Sequence, residues 1–121
     1  MLKKILIAVF MMTLFITQNV SAQDVWIFTD DVGYEYYVES ETLVNKTEYR
    51  LNRKFDVTVK LVNRDSSFDE KNYSFWENDA IVWYKVEGVE DVFTIAESKP
   101  AAAIWNYGLK ILGIDYEISY E

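Results

Sequence analysis

The chain contains no cysteine and no histidine among its 121 residues, and only one proline and four glycines. Without cysteine there is no disulfide, no thiolate nucleophile and no thiolate metal ligand. Without histidine there is no imidazole to activate a serine or to bind zinc. Cations are scarce too, with 12 Lys plus Arg against 20 Asp plus Glu, a formal charge of −8. Neutralising a phosphate backbone takes clustered Lys and Arg, so this balance excludes nucleic acid as a partner. No apolar run is long enough to cross a membrane: residues 5–16 supply 12 positions, where a helical span needs about 20.

That short run has a different meaning. Lys3 and Lys4 precede it, a polar break follows at residues 17–19, and Val20-Ser21-Ala22 closes the segment. The pattern predicts a secretory signal peptide over residues 1–22, cleaved after Ala22. The expected product is exported, periplasmic or extracellular or associated with the cell surface, with no membrane span after cleavage. Having no cysteine, it also lacks the residue a lipid anchor would need. The 121 residues less the first 22 leave 99, one domain over residues 23–121. Loss of Lys3 and Lys4 leaves 10 basic against 20 acidic residues, or −10, a charge that favours basic partners. Small exported domains often rely on disulfides. Here aromatic rings take that role, since all four Trp, all nine Tyr and five of the seven Phe follow Ala22.

Apolar alternation predicts strands at residues 24–29 and 34–39, joined by the turn Asp30-Asp31-Val32-Gly33. Residues 40–46 read as a loop and 47–53 as a weak strand. The strongest strand signal is 55–64, with Phe55, Val57, Val59 and Leu61 on one side and Asp56, Thr58, Lys60 and Arg64 on the other. Residues 64–71 read as a polar loop. Runs at 72–76 and 80–86 form a hairpin around Glu77-Asn78-Asp79, and 91–95 a short strand. The period then changes to 3.6. Ser98 stands at an N-cap position, Pro100 in the first turn, and Gly113 at the end of a stripe of Ala101, Ile104, Trp105, Gly108, Ile111 and Leu112. Gly108 in mid-helix implies close approach of helix and sheet. Residues 114–121 alternate again as a final strand. The expected fold is an α+β single domain, an antiparallel sheet of about six strands with one C-terminal amphipathic helix packed on it.

Candidate chemistry is thin. The acidic pairs Asp30/Asp31, Glu39/Glu41, Asp69/Glu70 and Glu90/Asp91 fall in or beside turns, where carboxylates are solvated and unsuited to acid–base work. Asp30, Asp31 and Glu35 could crowd around a hard cation, but no spacing matches a calcium loop and turn formation explains them more simply. No cofactor, metal site or catalytic residue is expected. Two Asn-x-Ser/Thr triplets at Asn45 and Asn72 carry no weight in so short a pattern. Aromatics that a one-helix sheet cannot cover are the better candidates, and Trp76, Trp83, Tyr84 and Tyr37 are assigned as the expected binding surface.

The order of features resembles the surface-adhesin protein E-like family of small bacterial secreted proteins. The likeness is carried by Val25-Trp26-Ile27, Tyr36-Tyr37-Val38, the long strand at 55–62 and the closing helix with Ala103-Ile104-Trp105-Asn106-Tyr107. It implies an antiparallel sheet with a C-terminal helix, no enzymatic activity, self-association as a homodimer, and attachment to host extracellular-matrix proteins. It assigns no contact residues here. The expected function is therefore a non-enzymatic exported binding module for a protein partner. The alternative is a periplasmic acidic inhibitor of a basic enzyme such as lysozyme.

Overall fold

The computed structural model describes residues 24–116. The expected leader, residues 1–22, and residues 117–121 of the expected last strand lie outside them. Six strands follow one another in space in the order they occur in the chain, every neighbouring pair antiparallel: β1 (Asp24–Thr29), β2 (Glu35–Asn45), β3 (Lys54–Val62), β4 (Phe68–Asn78), β5 (Ile81–Val86) and β6 (Phe93–Thr94). A 3-10 turn (Ile95–Glu97) leads into one helix, α1 (Lys99–Leu112). The fold is a single α+β domain with an open, meandering sheet. Among the described residues no helix is long and apolar enough to cross a membrane.

Local chemistry accounts for most element ends. In the β1–β2 turn the Asp30 carboxylate accepts hydrogen bonds from the backbone N–H groups of Val32 (3.0 Å) and Tyr34 (2.9 Å). This is the side-chain mimicry of a turn expected of Asp. In the β4–β5 turn both Asp79 (φ 52°) and Ala80 (φ 65°) are left-handed, the geometry that matches strand twist in a two-residue hairpin. Ser98 caps α1 by accepting the Ala101 N–H at 3.2 Å. At the other end Gly113 (φ 70°) and the Ile114 N–H bonded to the Leu109 carbonyl at 2.9 Å stop the helix.

Five segments depart from the sequence expectation. Residues 40–45 continue β2 instead of forming a loop. The strand bulges between Glu39 and Val44, and the Thr42 hydroxyl fills the broken rung, donating to the Glu39 carbonyl and accepting the Thr58 N–H, each at 2.7 Å. Residues 47–53 form no strand; they make a turn closed by a single bridge between Tyr49 and Asn52. Residues 68–71 open β4 by pairing with Val62 to Val59, although their sequence is mostly charged. The strand read at 91–95 shortens to Phe93–Thr94, and residues 114–116 form no strand.

The core lies between α1 and one sheet face. Register places Val38, Phe55, Val57, Val59, Phe75, Val82 and Tyr84 on that face, and Ala101, Ile104, Trp105 and Leu109 reach down from the helix. Phe55 stacks on Phe75 (centroids 5.0 Å apart) and on Trp105 (5.3 Å). The stripe differs from expectation at one point: Leu109 is buried, whereas Ile111 is 52% exposed. The expected close approach is present at Gly108. A Cβ there would stand 2.6 and 2.8 Å from two Phe55 ring carbons and nearer still to a third.

A buried ion pair closes the end of this core. Arg53 donates from Nε to Glu77 Oε1 (3.0 Å) and from a terminal nitrogen to Oε2 (2.8 Å), and its other terminal nitrogen donates to the Ile114 carbonyl (3.0 Å). The same guanidinium lies over the rings of Trp105 and Tyr116. The Tyr116 hydroxyl in turn donates to the Arg50 carbonyl. One arginine thus ties the 46–53 segment, β4 and the residues after α1 together.

Candidate functional site

The face of the sheet opposite α1 is the candidate surface. Alternation along each strand and the cross-strand register assign its residues in rows. At one end, Lys54, Trp76, Trp83 and Thr94 are successive partners across β3 to β6. The next row holds Val44, Asp56, Ser74 and Lys85. A middle row holds Asp24, Glu39, Thr58 and Asn72, then come Trp26, Tyr37, Lys60 and Glu70, and last Thr29, Glu35, Val62 and Phe68.

Trp76 and Trp83 therefore sit side by side, both half-buried. Beside them is a shallow depression of about 330 Å³ lined by Lys46, Lys54, Asp56, Ser74 and Trp76. Lys46 reaches Asp56 at 2.6 Å, which leaves Lys54 and Lys85 as the cations of this end outside that pair. Ile81, 48% exposed, extends the apolar surface.

The opposite end is acidic. Lys60 is only 4% exposed; its Nζ meets Asp24 Oδ2 at 2.9 Å and lies 4.7 Å from the centre of the Phe68 ring. With Lys60 matched by Asp24, Glu35 and Glu70 at this end and Glu39 in the middle row form an excess of negative charge. Burial, followed by the neighbouring charges of Glu70 and Asp24, pushes the Glu39 carboxyl above the usual range, with Lys60 opposing. Tyr37 donates its hydroxyl to Glu35 at 3.0 Å, and burial together with that carboxylate raises its pKa as well.

The four aromatics expected from sequence do not form one surface. Trp76 and Trp83 come together. Tyr37 is on the same face but opposite Lys60 rather than Lys54, about 20 Å along the strands at ~3.3 Å per residue. Tyr84 belongs to the core instead, 9% exposed and packed between Phe75 and Phe93. It is replaced on this face by residues that strand register identifies and sequence reading passed over: Trp26, Phe68, Lys54 and Lys85. The alternation of residues 54–62 was the signal for Lys54. For Trp26 there was none, because both sides of β1 carry large apolar groups.

Of Asp30, Asp31 and Glu35, Asp30 serves the turn through the hydrogen bonds above and Glu35 accepts from Tyr37; among the described residues no group of three or more His, Cys, Asp or Glu is placed to hold a metal ion. Glu39 and Glu70, whose charges oppose each other, come from different strands on either side of β3. Comparison with protein-family models, curated proteins and solved structures returned no match.

Proposed function

We propose that this protein is an exported, non-enzymatic binding module whose open sheet face meets a protein partner. The resemblance to surface-adhesin protein E makes a host matrix protein the expected class of target. The observation that carries the reading is the half-buried Trp76–Trp83 pair, rimmed by Lys54, Lys85 and the Lys46–Asp56 ion pair. Adjacent indoles with a polar rim are the composition of an interface centre, since large rigid rings supply contact area at low entropy cost. The test is retention of the purified protein on immobilised laminin or vitronectin, compared with Trp76→Ala/Trp83→Ala. Retention that falls at least tenfold in the variant supports the reading, and retention unchanged by the substitutions removes this face from it.

A second reading is favoured by one feature. In the β1–β2 turn Asp30 and Asp31 precede Val32, which is 65% exposed, so a projecting acidic tip could enter the cationic cleft of a basic enzyme such as lysozyme. Inhibition of lysozyme by the purified protein, lost on Asp31→Lys/Val32→Asp, would select this reading over matrix attachment.

A further inference from the structure

At the end of the sheet away from Trp76 and Trp83, the β1–β2 and β3–β4 turns stand side by side, because Glu35 at the start of β2 pairs with Val62 at the end of β3. Between them lies an open depression of about 410 Å³ lined by Val32, Tyr34, Asn63, Arg64 and Asp65, within the size range of small-molecule sites. We propose that this depression binds an uncharged saccharide through Arg64, Asp65, Asn63 and Tyr34. It is a second site, separate from the open face that meets a protein in the reading above.

Both walls are held by their own hydrogen bonds. In the first turn the Asp30 N–H donates to the Tyr34 carbonyl (3.0 Å) and the Gly33 N–H to the Asp30 carbonyl (3.1 Å), besides the two bonds that the Asp30 carboxylate accepts. In the second the Asn63 N–H donates to the Ser67 carbonyl (2.8 Å) and the Ser66 N–H to the Asn63 carbonyl (3.0 Å). Asn63 Nδ2 also donates to Ser67 Oγ (3.1 Å), and Ser67 donates through both its N–H and its hydroxyl to Asp65 Oδ1. Gly33 seats the arginine. A Cβ there would stand 3.1 Å from a terminal nitrogen and 3.2 Å from the central carbon of the Arg64 guanidinium, and nearer still to Nε. Its φ of 97° calls for glycine as well, so turn geometry and the placement of the guanidinium make the same demand.

What those bonds leave over selects the ligand. The Arg64 guanidinium enters no ion pair and no side-chain hydrogen bond among the described residues, so its planar fork of donors remains to be used. Asn63 spends its amide nitrogen on Ser67 and keeps Oδ1 as an acceptor, and the Tyr34 hydroxyl both donates and accepts. The bonds from Ser67 hold the Asp65 carboxyl below its usual range, which makes it an ionised acceptor with lone pairs to spare. Charge decides between ligand classes. Arg64 and Asp65 cancel, and the whole chain stands at −8, so an anion is repelled by the chain and a cation meets the guanidinium. A neutral ring with adjacent hydroxyls answers both signs, accepting from Arg64 with one oxygen while donating to Asp65 or Asn63 with the next. Its C–H groups suit the exposed Val32 side chain and the ring of Tyr34.

The test is a proton–nitrogen NMR titration of the purified protein with the methyl glycosides of glucose, galactose, mannose and N-acetylglucosamine. Sodium acetate and glycine serve as the anionic and zwitterionic controls. A single sugar ring in an open site should bind with a Kd on the order of 1 mM, so each probe is taken to about 50 mM. At least one glycoside is expected to give saturable shifts confined to the amides of residues 32–35 and 63–67 and to Arg64 Nε–H. Arg64→Ala should weaken that binding by about tenfold or more, and Arg64→Lys, which keeps the charge and loses the fork, by about fivefold. Arg64 is exposed, and resonances unchanged elsewhere show that both variants are folded. Trp76→Ala/Trp83→Ala should leave the affinity as it is. No saturation with any glycoside overturns the proposal, as do glycoside shifts that persist in Arg64→Ala or that centre on Trp76 and Trp83. Acetate or glycine binding more tightly than every glycoside overturns it too, and reassigns the depression to a charged ligand.

Discussion

Replacing Gly108 with alanine should destabilise this protein even though alanine is the better helix former. In an exposed helix the change would gain about 1 kcal/mol. Here the new methyl would stand 2.6 and 2.8 Å from Phe55 Cε2 and Cε1, where ordinary contact needs more than 3.4 Å. The ring cannot swing aside: it is fully buried and held between Phe75 and Trp105. Relief therefore requires lifting α1 from the sheet or displacing three stacked rings. Overpacking of this kind costs about 1–3 kcal/mol, occasionally more, and a methyl overlapping three ring carbons lies towards the upper end. The net expectation is a loss of about 1–2 kcal/mol, seen as a lower urea midpoint at unchanged slope. In a domain of this size it corresponds to a fall in Tm of roughly 5–15 °C. Phe55→Leu removes the offending carbons, so in a double-mutant cycle the two substitutions should couple favourably by at least ~1 kcal/mol. A Gly108→Ala protein as stable as the wild type, or more so, would show that the helix is free to move and that the packing argument is wrong.

Glu77→Ala should cost about 3–5 kcal/mol in urea unfolding, because it strands the Arg53 guanidinium in a site where its side chain is only 11% exposed. Arg53→Met/Glu77→Leu should lose less than either single change, and the opposite order would refute a desolvation origin. Ala80→Gly should stabilise by about 0.5–1 kcal/mol. The left-handed φ of 65° costs a residue with a Cβ about 1–2 kcal/mol, partly offset by the greater unfolded-chain entropy of glycine; a lower urea midpoint would contradict this. Burial, helped by Tyr36 and Tyr84, pushes the Tyr73 phenol up to about 12. The folded state thus keeps a proton that the unfolded chain releases near pH 10, and stability falls as pH rises from 10 towards 12. At about 1.4 kcal/mol per unit the loss approaches ~2–3 kcal/mol. Tyr73→Phe should flatten that limb in urea midpoints taken between pH 9 and 11.5, and an equally steep decline in the variant would rule Tyr73 out as its source.

The helix and the central strands were legible because their signals are redundant. Ser98, Pro100 and Gly113 mark both ends of α1, and Phe55, Val57 and Val59 alternate against polar neighbours where one face is dry. Legibility failed where that contrast vanishes. Residues 68–71 lie where neither side of β4 carries a buried apolar row, so no period of two could show the strand. Residues 40–45 depend on the Thr42 hydroxyl standing in for a backbone rung, a substitution invisible to hydrophobic patterning. Ile111 and Leu109 are both apolar and, two positions apart at ~100° per residue, flank the stripe on opposite sides, so the pattern alone could not say that the flank of Leu109 is the buried one. The candidate surface was half legible. Hairpin register brings Trp76 to Trp83, but Trp83 and Tyr84 are both aromatic and alternate, so composition could not say which one faces the helix. The mutual repulsion of Glu39 and Glu70 depends on β3 lying between their strands, and 31 positions of sequence separate them.

The strand order has a bearing on how such a chain reaches its final state. Each strand hydrogen-bonds to the one synthesised just before it, so no early segment must wait for a distant late one. Chain closure at every step spans a short loop, and entropic barriers stay small. Among the described residues the main distant packing is that of α1 on the sheet, and it can come last, when the growing ribbon already offers a surface to receive it. A polypeptide threaded unfolded through a translocation pore, N-terminus leading, could zip up in the order of its emergence and need no oxidising enzyme to secure the result.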